Sequence, residues 1–221
     1  IGSDSSTDRT DEIIREYQRR DPSIELRRFE RSGKTKIVYT LAGEAQSEII
    51  IFSDADILLE PQGLERIAEC FADPDVGGVV VRMTYEDDRE NAGSIGERTY
   101  HGMEDALRRF ESLYHTTISP TGPCFAVRRG SYTPLTDYRM SDDLNLVITI
   151  PLNGKRVWFE PRAVVQEVNK RTLWSEFRRR LRMGRQSMAT FLGYEGTRLP
   201  WRSRVGFQIW SHKLFRNLAG I

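Results

Sequence analysis

Residues Glu48-Ile49-Ile50-Ile51-Phe52-Ser53-Asp54-Ala55-Asp56 constrain the fold more than any other stretch, because an unbroken apolar run ends there in two carboxylates one residue apart. An apolar run without alternation reads as a strand buried on both faces, the pattern of a parallel sheet covered by helices. In an extended chain the side chains at i and i+2 point the same way, which puts Asp54 and Asp56 together at the strand's carboxyl end. Ligands of open α/β sheets gather at that edge. Two hard carboxylate oxygens there suit Mg²⁺ or Mn²⁺, with the remaining ligands supplied by water and substrate phosphates. Chance and strand-ending turns also produce Asp-x-Asp, so the spacing alone leaves a turn reading open beside the metal reading.

With 221 residues, 38% apolar and 29% charged, the chain has the makeup of a sizeable globular α/β domain that needs no covalent staples. Its net charge of +1 creates no overall field toward nucleic acid, and no nucleic-acid partner is expected. Cys70 and Cys124 stand alone and the histidines are scattered at 101, 115 and 212, which argues against a zinc site or a disulfide framework. No apolar run approaches the ~20 residues of a membrane span. The opening Ile1-Gly2 reads as the middle of a longer polypeptide.

Strands and helices are expected to alternate. A strand end at Ile1-Gly2 leads to a helix with Asp11 and Glu12 in its first turn and Ile13, Ile14 and Tyr17 inward, stopping near Asp21-Pro22. Ile24, Leu26 and Phe29 suit a short strand, Ser32-Gly33-Lys34 opens a helix, and Pro61 precedes one carrying Leu64, Ile67, Ala68 and Phe71. Val76 to Met83 is the next strand and Thr84 to Gly96 a loop. The recurrence of Tyr100, Met103, Leu107, Phe110 and Tyr114 predicts a long helix packing that stripe on the sheet. After the break at 119–123, strands follow at Cys124 to Val127, Val157 to Phe159 and Ala163 to Val165. The fold class is α/β, with a doubly wound, mostly parallel sheet.

Four stretches in this order resemble the motifs of the family-two, inverting glycosyltransferases, and more closely their processive polysaccharide synthase branch. Ser3-Asp4-Ser5-Ser6-Thr7-Asp8 resembles the family's Asp-Asp-Gly-Ser-Thr-Asp loop, with Ser3 and Ser5 departing from it. Asp54-Ala55-Asp56 matches Asp-x-Asp, and Ser141-Asp142-Asp143 resembles the family's acidic pair. Arg179-Arg180-Leu181-Arg182-Met183 stands where the synthases carry Gln-x-x-Arg-Trp, and only Arg182 carries over unchanged. Gly33-Lys34 and the segment from Gly122 to Arg129 are similarly placed. The family's first strand and helix are not among these 221 residues.

The resemblance implies an A-type nucleotide-diphospho-sugar transferase fold and transfer of a sugar from a nucleoside-diphosphate sugar, a UDP-sugar foremost, to a glycan or lipid-linked acceptor. It implies donor contacts from Asp4, Lys34, Asp54 and Arg182, metal contacts from Asp54 and Asp56, a general base at Asp143, and acceptor contacts from Gly122, Asp142 and Arg179. Helix capping is the plain alternative for Asp142 and Asp143, and a solvated helix face for the arginines, on a helix that offers Leu173, Phe177, Leu181 and Met188 to the core. His101 and His115 read as ordinary hydrogen-bonded or solvent-facing side chains. A haloacid-dehalogenase-type phosphatase would want Thr or Val two residues after the second Asp, where Leu58 stands. A nucleotide-sugar binding module without catalysis is the other alternative.

The catalytic domain is taken as residues 1–192. After Glu195 no acidic residue occurs, while arginines at 198, 202, 204 and 216 and Lys213 mix with Trp201, Phe207, Trp210 and Phe215. Residues 193–221 thus read as an interfacial segment for a membrane surface on its cytoplasmic side.

Overall fold

The computed structural model describes the backbone of residues 1–85, 94–135, 137, 139–167 and 173–214, and it leaves the side chains of 85, 94–101, 173, 175–177, 179, 180 and 212–214 undescribed. The chain forms two compact units, Ile1–Gln46 and Ser47–Ile221.

In the first unit, strand β1 (Gly2–Asp4), helix α1 (Thr10–Arg20), strand β2 (Arg27–Phe29) and helix α2 (Lys34–Glu44) follow in order. β1 and β2 pair in parallel, with α1 as their crossover. α1 carries Asp11 and Glu12 in its first turn and Arg19 and Arg20 in its last, as the helix dipole favours. Its inward face differs from expectation. Ile14 is buried, but Ile13 and Tyr17 are exposed. Asp11 turns inward instead, paired at 2.7 Å with Arg28 Nε of β2.

The second unit contains strands β3 (Ile49–Ser53), β4 (Ile57–Leu59), β5 (Val76–Tyr85), β6 (Cys124–Arg128) and β7 (Arg156–Glu167). Its helices are α3 (Gly63–Cys70), α4 (Ser94–Tyr114), α5 (Asp142–Leu152), α6 (Leu173–Gly193), α7 (Glu195–Arg198) and α8 (Arg204–Gln208), followed by a π-helical turn over Ile209–Leu214. The sheet order is β3-β6-β5-β7-β4. Only β5 and β7 pair in parallel, and the other three pairings are antiparallel. The α/β class is as expected, but the sheet is mixed rather than mostly parallel. β3 is an edge strand with Ile51 38% exposed, not a strand buried on both faces. An apolar run does not disclose its partner, so the parallel inference from Ile49 to Phe52 did not hold.

Registry puts the carboxyl ends of β3, β5 and β7 and the amino ends of β4 and β6 at one edge: Ser53 opposes Cys124, Val80 opposes Phe125, and Ile57 opposes Glu167. Across a flat sheet β3 and β4 would stand about 19 Å apart. The link from Ser53 to Ile57 spans at most about 14 Å. The sheet therefore curls over this edge. β7 supplies the bend where the register jumps from Val81↔Glu160 to Arg82↔Val164.

Ile67, Phe71, Val79, Val81, Ala126 and Val165 form the core beneath α3. α5 is buried almost all round, from Leu144 to Pro151. It lies so close to β5 that a Cβ on Gly77 or Gly78 would come within 2.8 Å of Ile150. Arg128 is part of the frame: it donates to the carbonyl of Phe71 at 2.6 Å and stacks over that ring.

α4 reverses its expected orientation. Met103, Phe110 and Tyr114 are 65–78% exposed, whereas Arg108, Glu111 and Ser112 are buried. The cause is the irregular chain beneath. Arg108 Nε donates to the carbonyl of Ser119, Glu111 accepts from Thr117 Oγ1 and the Ile118 N–H, and Ser112 Oγ accepts the Phe159 N–H. Buried backbone groups with no ladder partner need these polar side chains. On α6, Leu181 and Met188 likewise face outward rather than into the core, and Thr190 and Phe191 are buried. Leu64 of α3 is exposed as well. Of the expected loop from 84 to 96, residues 86–93 lie outside the described residues, as do the side chains of Tyr100, His101 and Phe177.

Candidate active site

Asp54, Ala55 and Asp56 are the whole connection between the two edge strands β3 and β4, so they cross the curled carboxyl edge itself. β3 ends at Ser53 and residues 55 and 56 form a turn, so the rule that i and i+2 share a side does not apply to them. Their proximity comes from the crossing instead. The Asp54 N–H donates to the carbonyl of Pro123 at 2.9 Å, which ties the crossing to the segment that enters β6. Burial, and then the negative charge of Asp54, push the Cys124 thiol up to about 11. Two half-buried carboxylates fit Mg²⁺ or Mn²⁺ when phosphate oxygens complete the shell, and among the described residues no cluster of three or more His, Cys, Asp or Glu would hold a metal without them.

Asp143 stands in the first turn of α5, half-buried. Its Oδ1 accepts the Ser141 hydroxyl and, at 2.7 Å, the Leu144 N–H. Its Oδ2 faces Gly122: a Cβ on that glycine would lie 3.5 Å from it. Gly122 has φ +81°, a left-handed conformation that other residues adopt only with strain. The Gly122-Pro123 pair thus touches Asp143 on one side and Asp54 on the other. The second unit brings together Asp54, Asp56, Gly122 and Asp143, with Asp142 half-buried at the start of the same helix.

In the first unit, Asp4 ends β1 and accepts the N–H groups of Ser32 at 2.7 Å and Gly33 at 3.1 Å. It thereby fixes the turn that opens α2, whose first residue is the exposed Lys34. Gly33 has φ +86° in that turn. Arg182 is exposed on α6, and the side chain of Arg179 lies outside the described residues. What meets the start of α5 is the far end of α6 and the residue that follows it. The Ser141 N–H donates to Thr190 Oγ1 at 2.9 Å, and the Tyr194 hydroxyl donates to Asn145 Oδ1. Sequence reasoning missed Ser141, Thr190 and Tyr194 as parts of this arrangement. A serine immediately before a helix that opens with two acids was the available signal.

Solved structures with the same fold include the mannosyltransferase PcManGT of Pyrobaculum calidifontis in complex with GDP-Man and Mn²⁺, at TM-score 0.68 and 20% identity, covering 99% of this chain and 67% of that one. TarS of S. aureus, in complex with UDP-GlcNAc, matches at TM-score 0.54 and 14% identity over 98% of this chain and 67% of its own. Glucosyl-3-phosphoglycerate synthase of Mycobacterium tuberculosis, with Mn²⁺ and UDP-Glc, matches at TM-score 0.52 and 17% identity over 87% and 66%. Among curated proteins, an N-acetylglucosaminyltransferase of Rhizobium meliloti (strain 1021) is 26% identical over 197 residues, 81% of this chain and 45% of that protein. The chain therefore spans a little under half the length of that relative. Residues 1–135 match the model described as glycosyl transferase family 2, and with more than half its length inside that match the chain belongs to this family.

Proposed function

We propose that this chain transfers a sugar from a nucleoside-diphosphate sugar, a UDP-sugar in the first instance, to a hydroxyl of a glycan or lipid-linked acceptor, with inversion at the anomeric carbon and with Mg²⁺ or Mn²⁺. One observation carries the reading: Gly122-Pro123 joins the Asp54-Ala55-Asp56 crossing to Asp143 at a single sheet edge. Asp54 and Asp56 would hold the divalent cation, which when bound supplies positive charge to the departing diphosphate. Asp143 accepts the proton of the acceptor hydroxyl on Oδ2 as that oxygen bonds to the anomeric carbon. The bond from that carbon to the diphosphate breaks, and the nucleoside diphosphate leaves with the electron pair. Asp4 and Lys34 are assigned to the donor's base and phosphates, Arg182 to the diphosphate, and Gly122, Asp142 and Arg179 to the acceptor, all by likeness to the family's motifs. Incubation with a panel of labelled nucleotide sugars and Mn²⁺ tests the assignment. Donor hydrolysis or transfer is expected for at least one, and inertness toward all of them would favour a binding module.

The processive synthase branch and a place at the cytoplasmic face of a membrane belong to the same proposal. Trp201 and Phe207 are 78% and 62% exposed, and with Phe110 and Tyr114 of α4 they line a groove of about 540 Å³ rimmed by Arg204. Exposed aromatic rings beside the arginines at 198, 202 and 204 fit an anionic lipid surface. Among the described residues no helix is long and apolar enough to cross a membrane. Co-sedimentation with anionic vesicles should be lost in the Trp201→Ser/Phe207→Ser double variant, and equal binding by both proteins would remove the support.

A further inference from the structure

We infer that Ser141 is a positioning residue for Asp143, that Thr190 near the end of α6 holds Ser141 in place, and that Tyr194, just past that helix, braces the same turn of α5 through Asn145. The inference rests on the proposed role of Asp143 as general base. Ser141 occupies the N-cap of α5 with extended backbone (φ −76°, ψ 128°), where a serine ordinarily accepts a helix N–H. Its side chain makes no such bond. The hydroxyl donates to Asp143 Oδ1 instead, so the helix start forgoes a stabilising cap in favour of a bond to the carboxylate. The Leu144 N–H donates to the same oxygen. With both donors on Oδ1, the carboxyl group is fixed in rotation and Oδ2, beside Gly122, remains the oxygen that meets an incoming hydroxyl.

The support continues outward. Thr190 Oγ1 accepts the Ser141 N–H and donates its own hydroxyl to the carbonyl of Gln186 at 2.8 Å, which fixes its orientation. Tyr194, just past the end of α6, donates to Asn145, whose amide donates to the carbonyl of Thr133 at 3.3 Å. The end of α6 and the residue after it therefore clamp the first turn of α5. Arg182 lies on the same helix eight residues before Thr190, about 12 Å along the axis.

The test compares Ser141→Ala, Ser141→Thr and Asp143→Asn in steady-state transfer, nucleoside-diphosphate calorimetry and thermal unfolding. Ser141→Ala is expected to lower kcat about tenfold to a hundredfold, the scale of a lost hydrogen bond to a charged group, with donor KM and diphosphate affinity unchanged. The unfolding midpoint should fall by only a few degrees, since the bond to the carboxylate is lost but no cap bond is. Ser141→Thr, which keeps the hydroxyl, should restore kcat to within about threefold. A wild-type kcat in Ser141→Ala, a matching loss of donor affinity, or no rescue by threonine would overturn the inference while an inert Asp143→Asn left the base assignment standing. Full transfer by Asp143→Asn would instead remove the base assignment and the inference together.

Discussion

Two sets of carboxylates meet at the carboxyl edge of the second unit, and they stand on different kinds of element. Asp143 sits at the start of a buried helix with one oxygen occupied by Ser141 and Leu144 and the other left toward Gly122. Asp54 and Asp56 sit in a three-residue crossing between edge strands, anchored through the backbone of Asp54 rather than through a helix. The difference follows the chemistry each is assigned. A base works only if its oxygen is aimed at one proton, so rigidity helps it. A metal pair completes its shell with substrate oxygens, so it must adjust as they arrive.

The strongest way to break this contrast is Asp143→Asn, which keeps the shape and the Oδ1 contacts but removes the proton acceptor. Transfer should fall by about 10²–10⁴ while calorimetry with the nucleoside diphosphate is unchanged, since the metal pair is untouched. Asp56→Ala should instead lower binding together with transfer. Affinity for the nucleoside diphosphate should fall about tenfold or more, about 1.4 kcal/mol at least, and the remaining binding should no longer respond to Mn²⁺. Undiminished metal-dependent binding by Asp56→Ala would put the cation elsewhere. The smallest effect is expected at the joint between the two sets. Gly122→Ala forces an ordinary residue into φ +81°, at about 1–2 kcal/mol, and sets a methyl 3.5 Å from Asp143 Oδ2. It should lower the unfolding midpoint and reduce transfer up to about tenfold, with diphosphate affinity retained.

Much of this edge was legible in the sequence because its signals are local. The apolar run before Asp54, the glycine at 122 and the acidic pair at 142–143 each report their own turn or helix start, and the structure brings the three together. Orientation was not legible where the partner is irregular chain. The apolar periodicity of α4 predicted a helix correctly but pointed its stripe inward, whereas the buried face is Arg108, Glu111 and Ser112. Those residues answer backbone groups at 118, 119 and 159 that no periodicity reveals. The mixed pairing of the sheet escaped for a similar reason, since Ile49 to Phe52 would look alike beside a parallel or an antiparallel neighbour. Ser141 could have been read as a cap, but not as a cap diverted to a carboxylate.

The proposed transfer is a single in-line displacement, with Asp143 deprotonating the acceptor on the face opposite the departing diphosphate. Proton NMR of the product formed from a nucleotide sugar of known anomeric configuration, recorded before mutarotation or further addition, measures this outcome. The new glycosidic bond should have the configuration opposite to that of the donor. A product with the donor's configuration would require two displacements or a front-face mechanism, and would contradict the role assigned to Asp143.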